Sequence, residues 1–381
     1  MGLGSKIQHF RFLPWFLYIL LAVIIVGLAQ GKQMNAYIQM IIMYVGINIM
    51  LSSSLNIVNG YMGEFACGHA AFMAVGAYVT SVLNVWLFTN SQVFGKAALP
   101  STTVLFLFPV TLLIGGFVAA LTALLIAIPS FKTRDDYLAI ITLAVNFIVK
   151  SAIENIQAIG GARGFMGMSK VITAMDKVVK LPWMLIWILI ATGVVIWVIY
   201  RFVNSTYGKG MLAIRDDEIS AEIMGINTRH IKIVAFMVSA GIAGIAGGLF
   251  AHVGGGYINP GIFTIMKSTE CLVMVYLGGM GSLSGSILSA IVFTVILELH
   301  RFLSVPLGDL MQHVPHTGWW NLLAAPLNKV LIPLLLNKWV VIPVLLIVLM
   351  RFRPEGIMGQ RELADIFPKF RQWFAPKEEQ V

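Results

Sequence analysis

Long apolar runs constrain this chain more than any other feature. A helix that crosses a bilayer needs about 20 mostly apolar residues. Ten such stretches recur along the 381 residues, at approximately 13–30, 37–58, 65–88, 104–128, 137–157, 182–202, 232–254, 267–280, 283–300 and 330–350, the eighth being short for a full crossing. Charged residues make up only 11% of the chain and hydrophobic ones 58%. A water-soluble surface draws on roughly 25% charged residues, so a soluble single-core fold is excluded. In lipid the backbone must pair with itself within each segment. The expectation is an all-α polytopic transmembrane bundle of about ten spans, with residues 1–358 as the transmembrane domain and 359–381 as a cytoplasmic tail.

The net charge of +9 does not indicate a nucleic-acid partner. The lysines and arginines cluster in loops beside apolar runs, and no basic, aromatic stripe lies on a polar segment. In such positions they set orientation. Placing the amino terminus inside puts most of them on the inner segments, around Lys6, Arg11, Lys132, Arg134, the 201–232 loop and the tail after Arg351. Both termini then face the cytoplasm. Basic residues between Arg163 and Lys180 oppose this bias. The run after Lys6 and Arg11 imitates a signal peptide, but its apolar part exceeds the usual ~7–15 residues, so a retained first helix is expected. Cys67 and Cys271 lie inside apolar runs with no disulfide framework or metal spacing, and read as small buried side chains.

Two glycine-rich stretches interrupt the helical pattern. The first, from Asn59 to Ala77, enters the third span. The second, Gly254-Gly-Gly-Tyr-Ile-Asn-Pro260 followed by Gly278-Gly-Met-Gly-Ser-Leu-Ser-Gly285, flanks the eighth. These positions match if the chain is two five-helix halves of opposite orientation, a five-plus-five inverted repeat with the solute pathway between halves. Tight glycine packing between ordinary helices is the competing reading. Candidate pathway residues are Asn59, Gly60, Gly63, Glu64, Gly68 and His69 in the first stretch, Thr142, Asn146 and Glu154 on the fifth span, and Glu270. Charges at membrane depth usually face an interior or a cavity, which singles out Lys150, Glu154, Glu270 and Glu298. Lys150 and Glu154, four residues apart, can instead pair with each other, and Glu298 can pair near His300 and Arg301 at a helix end. His69 has no nucleophile or ligand partner in sequence, which favours a packed, hydrogen-bonded imidazole over a cavity-lining one.

The most informative polar segment is the loop at 203–231. Asp216 or Asp217 can cap a helix with acids in its first turn. Ile219, Ile223 and Ile226 recur at helical spacing, Gly225 stops the helix, and Asn227-Thr228 starts the next. The result is a short amphipathic helix at about 217–224, shaped as a docking knob for a cytoplasmic partner. In the tail, Ile366, Phe367, Phe370, Trp373 and Phe374 form a helical stripe among Lys369, Arg371 and Lys377. That stripe suits the inner leaflet or a partner surface.

Four segments carry a family resemblance. Asn59–Tyr78 is similar to the block G-x-x-S-L-G-H-A-A-F-x-x-I-G-A-Y, departing at Phe65, Ala66 and Cys67. Asp135–Leu143 with Gly160-Gly-Ala-Arg-Gly164, Lys209–Gly248, and Ser268–Gly285 with Arg353-Pro-Glu-Gly356 complete it. Together they resemble the LivM-type permeases of branched-chain amino-acid ABC importers. The resemblance implies a second homologous permease, two cytoplasmic ATPase subunits that bind ATP and Mg, and an extracytoplasmic solute-binding protein, in the plasma (inner) membrane. It places Arg215, Asp216, Asp217, Glu218, Ala221, Glu222 and Gly225 in a coupling helix seated on the ATPase. The chain lacks the pattern G-x-x-x-x-G-K-[ST], so no cofactor is expected on it and ATP hydrolysis is expected elsewhere. The outer loop after Leu297, with His313, Pro315, His316, Trp319 and Trp320, departs from the family pattern. Two histidines without further ligands give no metal site, and the tryptophans suit an interfacial belt.

The implied function is import of branched-chain or other apolar amino acids. Urea or short amides are the alternative within the same transporter type. A gradient-driven secondary transporter or channel, using Lys150, Glu154 and Glu270 as ion sites, is the rival class. No paired aspartates, nucleophile–base set or HExxH pattern supports an intramembrane enzyme.

Overall fold

A computed structural model describes residues 13–90, 94–131, 137–312, 337–352, 355–359 and 362. The expectations for His313, Pro315, His316, Trp319, Trp320 and the stripe from Ile366 to Phe374 fall outside these residues. The chain is built from helices α1 (Leu13–Gln30), α2 (Ala36–Asn56), α3 (His69–Phe88), α4 (Val104–Ser130), α5 (Tyr137–Asn155), α6 (Met168–Val178) and α7 (Trp183–Val203). They continue with α8 (Thr206–Asp216), α9 (Glu218–Ile223), α10 (Thr228–His252), α11 (Ile265–Gly278), α12 (Leu283–Gln312) and α13 (Lys338–Phe352). Among the described residues, eight helical segments are long and apolar enough to cross a membrane, and Trp15–Gln30 is a shorter apolar helix. The spans read from the sequence all coincide with helices, the first and tenth with α1 and the described part of α13.

Four short elements were not expected. Helix α6 lies in the loop after the fifth span, α8 precedes the docking helix, and two-residue strands β1 (Phe165–Met166) and β2 (Tyr257–Ile258) pair antiparallel. The strands are too short to leave a period in the sequence, whereas α6 buries Met168, Val171, Ala174 and Met175 at helical spacing.

Helix α10 is the centre of the bundle, packed against α2, α3 and α4. It can sit there because its inward residues are small. A Cβ on Gly247 would come within 2.0 Å of the Met73 carbonyl oxygen, and one on Gly76 within 2.2 Å of the Gly244 carbonyl oxygen. Lipid offers no hydrophobic drive between helices, so close backbone approach and interhelical hydrogen bonds hold such a core. The hydrogen bonds form two seams. Asn48 Nδ2 donates to Thr294 Oγ1 at 2.9 Å and Asn56 Nδ2 to Ser286 Oγ at 2.8 Å, joining α2 to α12. Thr111 donates to Asn84 Oδ1 at 2.7 Å, while Asn84 Nδ2 lies 3.0 Å from His252 Nε2, joining α4, α3 and α10.

The outward faces are apolar. On α4, Phe106, Leu113, Phe117 and Leu125 are exposed, as are Phe16, Ile19 and Val23 on α1. Solvent would oppose this arrangement and hydrocarbon accepts it.

The interruptions fall after the second and seventh spans. Helix α2 ends in a π turn, Ile57–Tyr61, and the chain then runs without regular structure to Gly68. After α10, Val253 to Thr264 holds β2 and a short 3-10 turn before α11 begins. The third span therefore starts at His69 and not at residue 65.

Candidate functional site

The loop between α7 and α10 folds by local rules. Asp217 caps α9 by accepting the Ser220 N–H at 2.9 Å. That backbone donor holds the Asp217 carboxyl below its ordinary value of 3.8. A lowered value means the cap is intact above the ordinary carboxylate range and is lost only as pH falls through the lowered one. Gly225 ends the turn at φ +83°, a left-handed backbone that suits glycine. Asn227 caps α10 by accepting the His230 N–H at 3.0 Å, and Glu222 accepts the Thr228 hydroxyl at 2.8 Å. Ala221 is buried beneath the helix, whereas Ile219, Ile223 and Met224 are 72%, 81% and 84% exposed. Three large apolar side chains thus stand on the polar loop of a membrane protein.

The base of this knob is wired to the first interruption. Lys232, at the start of α10, has a side chain only 8% exposed and lies 2.5 Å from Glu64 and 2.6 Å from Glu218. Arg215, at the end of α8, donates to the Gly60 carbonyl at 3.1 Å and lies 3.9 Å from Asp216. Its side chain covers Gly63, where a Cβ would meet Arg215 Cγ at 2.6 Å. Gly60, Gly63 and Glu64 therefore stand against the loop, not at mid-depth. The neighbouring Asn59 bridges the interruption, its amide within 3.5 Å of the Ala66 carbonyl.

The turn between α11 and α12, the later part of the second glycine-rich stretch, is held on the same face as the loop. Glu362 accepts the Leu283 N–H at 2.7 Å, the Ser284 N–H at 3.0 Å and the Ser284 hydroxyl at 2.6 Å, capping α12. The Tyr61 hydroxyl donates to the same carboxylate at 3.1 Å. Asn56 Oδ1 accepts the Gly281 N–H at 3.0 Å. The loop, the first interruption, the α11–α12 turn and the segment after α13 thus form one connected layer.

Deeper in, the interrupted helices meet. The Ala70 N–H, in the first turn of α3, donates to Ser268 Oγ of α11 at 3.0 Å, and Asn146 Nδ2 of α5 lies 3.3 Å from the same oxygen. The Cys67 N–H donates to Thr142 Oγ1 at 3.0 Å. Gly68 is pressed against α5, where a Cβ would lie 2.3 Å from the Thr142 carbonyl oxygen. Asn146 stands midway along α5, so this junction is at mid-span. His69 is buried with Nε2 2.8 Å from Ser54 Oγ, a packed and hydrogen-bonded histidine.

Of the residues singled out in sequence, Gly68, Thr142 and Asn146 are brought together, with His69 and Glu270 on the adjoining turns. Glu154 is not among them. It pairs with Lys150 at 3.6 Å on a partly exposed face of α5. Glu298 accepts the Tyr37 hydroxyl at 2.5 Å and lies 3.8 Å from Arg301. Glu270 pairs with Lys267 at 2.8 Å, one turn away on α11. Lys232, Lys267, Ser268 and Glu362 were missed. The two lysines sit at the edges of apolar runs and read as loop charges, and nothing local marks Ser268 or Glu362.

A polytopic helical bundle with paired helix breaks, a polar junction at mid-span and an apolar knob tied to the breaks has the build of a transport permease. The chain belongs to the family described as branched-chain amino acid transport system / permease component, which matches residues 37–348. It is 32% identical over 296 residues to the high-affinity branched-chain amino acid transport system permease protein LivM of Escherichia coli. That match covers 70% of this chain and 65% of the relative's length. The probable branched-chain amino acid transport permease protein LivM of Methanocaldococcus jannaschii is 22% identical over 358 residues, covering 86% of this chain and 94% of that one. A shorter likeness, 30% over 122 residues, is to the autoinducer 2 import system permease protein LsrC of Salmonella typhi, covering 31% of this chain and 32% of that one. No solved structure matches.

Proposed function

We propose that this chain is the membrane-spanning subunit of an ATP-driven importer for branched-chain or other apolar amino acids. It sits in the inner membrane with both termini in the cytoplasm. It pairs with a second homologous permease, receives solute from an extracytoplasmic binding protein, and is driven by two cytoplasmic ATPase subunits that hold ATP and Mg. This chain contributes no ATPase chemistry of its own.

The observation that carries the reading is the knob at α9. Its tip exposes Ile219, Ile223 and Met224, and burying large apolar side chains in a partner's groove is worth ~1.5–3 kcal/mol each. Its base passes through Glu218, Lys232 and Glu64 into the segment that leads to the α3 terminus at mid-span. Movement of the knob toward its counterpart displaces that segment and so the junction of Ala70, Ser268 and Asn146. Thr142, Asn146, Gly68, His69 and Glu270 are the pathway candidates that such a movement would open. The first interruption, with Asn59, Gly60, Gly63 and Glu64, acts as the lever.

The test uses Ile223→Asp and Gly225→Val in the assembled transporter. Ile223 touches solvent, so its variant inserts normally; valine at a positive φ costs ~1–2 kcal/mol and deforms only the turn. Co-purification of the ATPases and ATP-dependent leucine uptake are expected to fall at least tenfold in both. Normal uptake together with normal co-purification would refute the docking role.

A further inference from the structure

Lys267 and Glu270 form a buried ion pair within a single helix, α11. Their charged atoms are 2.8 Å apart, and the side chains are only 14% and 8% exposed. Taking two ions out of water costs several kcal/mol each even after relaxation. A buried pair that joins two elements returns part of that as a tether. This pair lies three residues apart on one helix, α11, so the ion pair itself bridges no two helices. An ionisable group kept at membrane depth under such terms points to transport.

The surroundings state what would be handled there. The Lys267 ammonium lies 5.8 Å from the centre of the Phe250 ring. Phe250 packs against Tyr44 and Phe263 with ring centres 6.0 Å apart in both cases, and Phe263 packs against Tyr78 at 6.3 Å. The Tyr78 hydroxyl is buried without a hydrogen-bond partner among the described residues. Between the two charges on α11 stands Ser268, whose hydroxyl joins the α3 terminus and Asn146. A cation, an anion and an aromatic wall thus meet at the junction of the interrupted helices.

We propose that Lys267 and Glu270 are a transit site for zwitterionic α-amino acids with apolar side chains. The solute carboxylate takes Lys267, its ammonium takes Glu270, and its side chain lies on the rings of Phe250, Phe263 and Tyr44. One internal ion pair is exchanged for two pairs with the solute, so no buried charge is left alone at any stage. Closure of Lys267 onto Glu270 then restores the resting state. A neutral solute such as urea cannot make this exchange, which gives the membrane subunit a selectivity of its own. The inference rests on the amino-acid importer reading above.

Radiolabelled leucine uptake by the complete transporter tests both. A wild-type transporter that carries no leucine removes the importer reading and this site with it. Given wild-type uptake, Lys267→Met and Glu270→Gln each strand one buried charge and should lose uptake at least thirtyfold. The double variant Lys267→Met/Glu270→Met decides the matter. It strands no charge, and exchange of a buried pair for apolar residues is often neutral or stabilising. A transit site leaves the double variant as inactive as the singles while its membrane level and melting temperature stay near wild type. A merely structural pair makes the double variant recover uptake, which overturns the proposal. A second measurement needs no variant. The purified membrane complex without its binding protein should be stabilised against heat by leucine, and not by leucinamide or 4-methylpentanoate, which each lack one charge. Equal stabilisation by all three, or by none, also overturns it.

Discussion

Lys232 shows how much one side chain can organise. It stands between Glu64 and Glu218 at 2.5 and 2.6 Å, and so joins α10, the first interruption and α9. Lys232→Met leaves two carboxylates facing each other. Breaking a fully buried pair costs ~3–5 kcal/mol. Glu218 is 46% exposed and its charge is partly screened, so about 2–3 kcal/mol is expected here. The measurement is the thermal or denaturant midpoint of the purified chain in detergent, with Lys232→Met/Glu64→Gln recovering about half of the loss. A midpoint unchanged in Lys232→Met would remove the triad from the account. At this scale the sequence was readable wherever the cause is local. Asp217, Gly225 and Asn227 were placed correctly as cap, stop and cap because each answers to neighbours within three residues. Glu64, Lys232 and Lys267 were not, because a charge at the edge of an apolar run looks the same whether it meets water or a distant partner.

Elements were readable in proportion to their length. Spans of 18 or more apolar residues declared themselves, because lipid leaves the backbone no alternative to helix. The 14-residue α11 was recognised as short, and its shortness is now explained by the interruption before it. The strand pair stayed hidden because two residues obey no period, and α8 because Gly208 and Gly210 weaken its helical signal; α6 carries a helical period at Met168, Val171, Ala174 and Met175 that was missed. The cap on α12 belongs to this scale too. Glu362 satisfies two backbone donors and a hydroxyl at the start of a 30-residue helix. A carboxylate there also meets the positive end of the helix dipole. Glu362→Ala should cost about 1–3 kcal/mol. The local signature is more telling than the total. Amide hydrogen exchange over 283–288 should accelerate severalfold, while the α10 core, sealed by Gly76, Gly244 and Gly247, stays protected. Uniform acceleration through both would mean that the carboxylate supports the whole bundle and not the start of α12.

On the scale of the molecule, connectivity divides the chain between two faces. The loop at 203–231, the first interruption near Gly60, the α11–α12 turn near Gly281, and the segment at 355–362 share one face, as Arg215, Tyr61 and Glu362 require. The strands at Phe165–Met166 and Tyr257–Ile258 lie at the far ends of α5 and α10, one crossing away. The orientation proposed from the lysine and arginine bias puts the first face in the cytoplasm, against the basic residues of the 163–180 loop. Two single cysteines test that assignment. Ile219→Cys and Met166→Cys sit at positions 72% and 69% exposed, and the native Cys67 and Cys271 are buried, so background labelling is low. With the chain expressed without the ATPases, a membrane-impermeant maleimide should label Met166→Cys in intact spheroplasts and Ile219→Cys only in inside-out vesicles. Co-expression of the ATPases should then protect Ile219→Cys and leave Met166→Cys unchanged, because the knob is covered in the complex and the strand is not. Labelling in the reverse order would invert the molecule and put the knob beyond any cytoplasmic engine. Correct order without protection would keep the orientation and remove the docking surface.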